Sequence, residues 1–124
     1  IRLDGGDCRA FARRLSCDQD IAADGCFSLG MLADFDEPLA VRGASFYRQL
    51  YWECGAIGQL LYLEAEAAGV RATGMGCFYD DGVHEGVGLG GGHVFQSLYH
   101  FAVGGPVEDR RMGAEPGYAW ERRA

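Results

Sequence analysis

The chain has 124 residues, 48% of them apolar, and a formal net charge of −7, a composition that suits one globular domain with a real core and excludes a disordered chain. The negative charge speaks against general affinity for nucleic acid or for an anionic membrane, since both need a positive surface. Cys8, Cys17, Cys26, Cys54 and Cys77 are odd in number and two lie in apolar periodic segments, so reduced thiols and a cytoplasmic setting are expected.

Ile1 opens the chain without the basic stretch and small-residue cleavage site of a signal peptide, and the start reads as a cut rather than a natural beginning. Asp7 to Leu15 predicts a short helix capped by Asp7, with Phe11 and Leu15 one turn apart. After the polar, acidic stretch from Ser16 to Asp24, the nearly continuous apolar run Gly25 to Ala33 predicts a strand buried on both faces. Asp34-Phe35-Asp36-Glu37-Pro38 ends it, and a loop is expected up to Ala44.

Ser45 to Ala68 predicts one long helix, because Phe46, Leu50, Cys54, Ile57, Leu61, Ala65 and Ala68 recur at steps of three and four. Trp52, Ala56, Leu60, Leu63 and Ala67 widen that stripe, and Tyr47, Tyr51 and Tyr62 add a third apolar line. A helix apolar nearly all round is expected to be buried. Arg48, Glu53, Glu64 and Glu66 interrupt it too often for a membrane span. Ser45 is a suitable N-cap, and Gly69 before Val70 suits a left-handed stop with its hydrophobic partner. Gly55 and Gly58 each cost about 1 kcal/mol against alanine inside a helix, which implies close approach of a neighbouring element or a partner chain, with plain packing preferred over ligand contact.

Arg71 to Gly76 predicts a short strand that runs into a glycine-bearing turn, Gly74 to Phe78. Asp80 and Asp81 can cap a short helix carrying Val83 and Val87, and Gly90-Gly91-Gly92 reads as a loop. Val94 to Val103 predicts a second buried strand, ended by Gly104-Gly105-Pro106. From Val107 the chain is polar, with arginine pairs at 110/111 and 122/123, and reads as an extended tail. The order implies a layered α+β domain. Three strands leave the long helix incompletely covered, so a partner or a further segment is expected against it.

The usual chemical motifs are missing. Gly74-x-Gly76 lacks the third glycine of a dinucleotide fingerprint, since Tyr79 stands there, and a phosphate loop would need lysine, of which the chain has none. His84, His93 and His100 are not at zinc-ligand spacings. His100, inside a strand, reads as a hydrogen-bonded core or interface histidine. Cys77 has no activating base nearby and reads as an inert thiol. Arg110 and Arg111 are either a solvated pair or a phosphate clamp. With no acid, base, nucleophile or metal set in view, an organic cofactor remains the natural carrier of any reaction.

The run RQLYWECGAIGQLLYLEAEAAGVRATGMGCFYDDGVHEGVGL, followed by FQSLYHFAVGGPVEDRR, resembles the C-terminal half of the nitroreductase superfamily, and within it the SagB-type dehydrogenases, which include azoline oxidases. The resemblance covers roughly Phe27 to Arg111. It implies a nitroreductase-like α+β fold, a long helix in an intertwined homodimer interface, and FMN between subunits, with NAD(P)H as a possible electron donor and a small molecule or peptide as substrate. It also implies that the turn after the helix-following strand lies along the flavin edge and offers an N–H to N5, which maps onto Gly74, Met75, Gly76 and Cys77. Basic residues after the last strand help hold the FMN phosphate in the family, which maps onto Arg110 and Arg111. Two departures stand out. The family's N-terminal Arg-Arg-Ser type segment has no counterpart here, so the chain reads as the C-terminal portion of one domain, and the Lys-Tyr pair of azoline oxidases cannot come from a chain without lysine. The rival expectation is a cofactor-free dimerisation module, and upstream sequence with an arginine-bearing FMN segment would separate the two.

Overall fold

A computed structural model describes residues 5–90, 92, 94–108, 111, 113, 117 and 118. Two short helices come first, α1 (Arg9–Leu15) and α2 (Ile21–Asp24), followed by the strand β1 (Phe27–Asp34) and the helix α3 (Asp36–Arg42). A 3-10 turn, Ala44–Phe46, then leads into the long helix α4 (Tyr47–Ala67), which is followed by β2 (Arg71–Met75), α5 (Asp80–Gly86) and β3 (Phe95–Gly104). The three strands form one antiparallel sheet in the order β1-β3-β2. The expected α+β arrangement is therefore present, with the last strand at the centre.

α4 covers one face of the sheet. Phe46, Leu50, Cys54 and Leu98 form a buried cluster there, with Met31, Ala33 and Tyr99 packed against it. On the other face Ala22 of α2 meets Met75 and Ala102. Phe101 of β3 is fully buried and its ring meets Tyr62 and Tyr99 edge-on, with centroids 5.1 Å apart in each pair. Such T-shaped contacts favour aromatic pairs beyond simple area burial.

α4 ends as its sequence implies. Gly69 has φ +73, the Val70 N–H donates to the Ala65 carbonyl at 2.9 Å, and the Gly69 N–H donates to that of Glu66 at 3.1 Å. Those two bonds satisfy carbonyls the helix itself leaves open. Its start differs from expectation: Ser45 makes no cap, because the chain enters through the 3-10 turn and the α4 N-cap, Phe46, has no side-chain cap bond. The helix is also not buried all round. Only Leu50, Cys54, Gly58 and Ala65 are buried along it, whereas Trp52, Leu60 and Leu63 are 63%, 56% and 58% exposed. One sheet can cover one face of a cylinder, and the opposite apolar stripe remains open.

Other expectations are corrected by topology. β1 is not buried on both faces; as an edge strand it leaves Phe27 and Leu32 exposed. The loop expected between Asp34 and Ala44 holds α3. Pro38 does not prevent that helix, because it falls in the first turn, where N–H groups have no helical partner anyway. Asp36 and Glu37 at its start and Arg42 at its end complement the helix dipole. Gly58 faces the sheet: a Cβ there would lie 2.9 Å from both the Phe101 and Tyr99 rings, while one at Gly55 would meet nothing within 4 Å.

The expectation of reduced thiols fails for one pair, Cys77 among them. Cys17 and Cys77 form a disulfide across 60 residues of sequence, with Cα atoms 6.0 Å apart, while Cys8, Cys26 and Cys54 stay free. Folding alone brings this pair together, so no local spacing announces it. Burial pushes the Cys54 thiol up, which keeps it a small neutral hydrophobe. Among the described residues no helix is long and apolar enough to cross a membrane.

Candidate functional site

The turn that leaves β2 is built from three differently constrained residues. Gly74, still in the strand, donates its N–H to the Tyr62 hydroxyl at 2.8 Å, and a Cβ on it would collide with the Tyr99 hydroxyl. The Tyr99 hydroxyl of β3 thus leaves room only for glycine here, while Tyr62 of α4 takes the backbone N–H. Met75 points the other way and is 3% exposed, since successive strand residues alternate between faces. Gly76 is exposed, lies beyond the strand's end, and a Cβ there would meet none of the described residues within 4 Å.

Beyond Gly76 the turn is held from behind. Cys77 is bonded to Cys17, its carbonyl accepts a hydrogen bond from Gln19 Nε2 at 3.2 Å, and the Tyr79 N–H donates to the Leu15 carbonyl at 2.8 Å. Cys17 and Asp18 have φ of 55 and 58, a left-handed conformation that costs non-glycine residues about 1–2 kcal/mol each. The cross-link and the flanking bonds offset that cost.

Phe78 stacks on His100, with ring centroids 4.1 Å apart and planes 12° apart. His100 Nε2 lies 2.7 Å from Ser97 Oγ, and the Ser97 N–H donates to His84 Nε2 at 3.2 Å. All three of these polar residues are buried. His84 Nε2 is therefore the acceptor in that bond. Burial lowers the His100 pKa, and the Asp80 carboxylate acts in the opposite direction. His100 is thus the hydrogen-bonded core histidine that its position in a strand implies. Gly30 makes room for it, since a Cβ there would lie 3.1 Å from the imidazole.

Of the residues expected to hold a cofactor, the structure brings Gly74, Met75, Gly76 and Cys77 into one short segment, with only Gly76 and Cys77 presented outward. Arg111 is exposed and well apart in sequence; Arg110 and most of the expected tail lie outside the described residues. Sequence reasoning missed Tyr62, Tyr99, Gln19 and Cys17, which support the turn from other elements. Only tertiary contact reveals them. Cavities border the sheet on several sides among the described residues: one of about 540 Å³ between β1, α3 and α4, one of about 560 Å³ that reaches His100 between α1, β1 and α5, and another of about 560 Å³ along β2 and the end of β3 beside α2. None of these is lined by Gly74 to Cys77.

An isoalloxazine edge fits this turn at one position and not at another. Gly76 offers bare backbone with clear space over its α-carbon, as close approach of a flat ring requires. Gly74 does not, because its N–H and the space over its α-carbon are both taken by tyrosine hydroxyls.

The sequence profile of the Nitroreductase family matches residues 10–105. No curated protein matches the chain. Among solved structures, a protein of Anabaena variabilis assigned as a nitroreductase is similar, with a TM-score of 0.77 and 25% identity. The similarity covers 86% of this chain and 21% of that one, so the present chain spans about a fifth of its relative's length. With the profile covering most of its residues and its fold shared by this relative, the chain belongs to the nitroreductase family.

Proposed function

We propose that the chain is the C-terminal portion of an FMN-dependent oxidoreductase domain, in the SagB-type branch, that works as a homodimer paired through α4. The observation that carries this reading is Gly76, an exposed glycine just beyond the end of β2 with none of the described residues over its α-carbon, on a turn fixed from behind by Cys17 and Gln19. FMN bound there would supply the redox chemistry, hydride and electron transfer through its N5 between NAD(P)H or an organic substrate, small molecule or peptide, and a small acceptor. The residues of this chain bind and orient. Gly76 and Cys77 present backbone to the ring edge, the bonds to Leu15 and Gln19 hold that backbone still, and Arg110 and Arg111 are the cations assigned to the phosphate. The open Trp52, Leu60 and Leu63 stripe is the face assigned to the second copy. The engagement of Gly74 by Tyr62 and Tyr99 favours the second reading, a cofactor-free module that keeps the fold for dimerisation.

Flavin titration of the chain extended upstream decides between them. We expect saturable FMN binding, and a Gly76→Val variant that keeps its circular dichroism but loses at least about tenfold in affinity, the equivalent of about 1.4 kcal/mol. No binding by the extended chain would leave the cofactor-free module standing, and unchanged binding by Gly76→Val would remove the turn from the site.

A further inference from the structure

We infer that Cys17 and Cys77 are a reversible dithiol–disulfide modification site, which latches the turn after β2 onto the loop between α1 and α2. The site is independent of any flavin and stands on four observations. Cys77 is exposed and Cys17 half-buried, so the bond is open to attack, unlike a disulfide sealed in a core. The two sulfurs join segments 60 residues apart, one of which carries Gly76. Cys17 and Asp18 both sit at positive φ, a pair of unfavourable conformations that the cross-link holds and that its opening releases. Finally, two non-covalent ties span the same gap, Gln19 Nε2 to the Cys77 carbonyl and the Tyr79 N–H to the Leu15 carbonyl. They keep the thiols within reach after reduction, which makes the bond one that re-forms.

The chemistry is thiol–disulfide exchange with a dithiol reductant. A thiolate of the reductant attacks the sulfur of the more exposed residue, Cys77, the Cys17–Cys77 bond breaks, and Cys17 leaves as a thiolate that takes up a proton. The second thiol of the reductant resolves the mixed disulfide, so the protein gains two thiols and the reductant becomes a disulfide. Oxidation by a low-molecular-weight disulfide such as oxidised glutathione runs the same exchange backwards. In a reducing compartment the latch is open, and oxidation closes it.

Equilibrating the protein with oxidised glutathione or with dithiothreitol, then alkylating it under denaturing conditions, reads the site by mass. We expect Cys17 and Cys77 to be unlabelled and joined to each other in the first case, and all five cysteines to be labelled in the second, with peptide mapping separating that pair from glutathione adducts on Cys8 or Cys26, both free and exposed. Hydrogen exchange over seconds is expected to run roughly tenfold faster at residues 15–19 and 76–79 in the reduced protein. The β1-β3 ladder should stay protected on that timescale, and reoxidation should restore the slow rates. Cys77→Ser should show the reduced-state rates under both conditions, and Cys8→Ser should behave as wild type; if Cys77→Ser fails to fold, the chemically reduced wild type gives the same reading. Five labelled cysteines under oxidising conditions, a different pairing, or identical exchange of the two segments in both states would overturn the inference.

Discussion

Gly74 and Gly76 stand two positions apart and are glycine for different reasons. At Gly74 the space is already filled by the Tyr99 hydroxyl, so Gly74→Ala should destabilise the fold by about 1–3 kcal/mol, the usual cost of overpacking. Gly76→Ala should change stability by less than about 0.5 kcal/mol, since its Cβ meets nothing within 4 Å and its φ is not positive. Thermal unfolding of both variants separates them, and Tyr99→Ala in the Gly74→Ala background should recover part of the loss through the coupling of neighbours. Equal effects of the two alanines would contradict this division. His100 gives the residue-scale pH dependence. Burial holds its pKa below the ordinary 6.5, so once pH falls below about 6.5 the unfolded chain binds more protons than the folded one, and stability drops; above that range the contribution is flat. Denaturant midpoints between about pH 5 and 8 should therefore fall more steeply on the acid side for wild type than for His100→Gln. A histidine inside an apolar strand was legible as a core residue, but its Phe78 stack and Ser97 partner were not, because neither follows from spacing.

Helix periodicity fixes α4 to within two residues, yet it cannot choose which face of an all-round apolar helix meets the sheet. That choice is made by partners from β3: Phe101 and Tyr99 take the groove left by Gly58, and Leu98 meets Phe46, Leu50 and Cys54. Gly58→Leu should therefore destabilise the folded chain by about 3 kcal/mol or more, because its side chain must displace two packed aromatic rings. It is a variant of the core and gives no reading of dimerisation. The opposite stripe does that. Trp52→Glu with Leu63→Glu replaces two exposed apolar side chains by charges, and it should leave circular dichroism intact while abolishing concentration-dependent association in sedimentation velocity. Association that persists in this variant would show that another surface pairs the copies. β1 and α3 show the converse limit of reading elements locally. An apolar run reads as doubly buried whether its strand falls at the centre or at the edge, and only pairing places β1 at the edge. Pro38 reads as a breaker until its position in a first turn is known.

At the scale of the whole molecule, a three-stranded sheet separates two unequal layers, α4 on one side and three short helices on the other. The layering was legible because each strand and the long helix carry strong apolar patterns. The candidate site was legible only as a turn, since what fixes it, Cys17, Gln19, Tyr62 and Tyr99, comes from loops and elements far along the chain. The same architecture predicts how the chain behaves alone. Its formal charge of −7 favours solubility, but the open stripe of Trp52, Leu60 and Leu63, with Ile57 beside it, is an apolar patch of the kind that marks an unfilled interface. On the proposed reading, the phosphate and the floor of the ring also need groups that Gly74 to Cys77 do not supply. Residues 1 to 124 should therefore associate at micromolar concentrations and bind FMN poorly, whereas the chain extended upstream should be a discrete dimer that is yellow when purified. Sedimentation velocity and flavin fluorescence quenching on both chains, side by side, test the two halves of the expectation separately. A monodisperse monomer of residues 1 to 124 would mean that the α4 stripe needs no cover, and FMN binding as tight as that of the extended chain would mean that these residues alone complete the site.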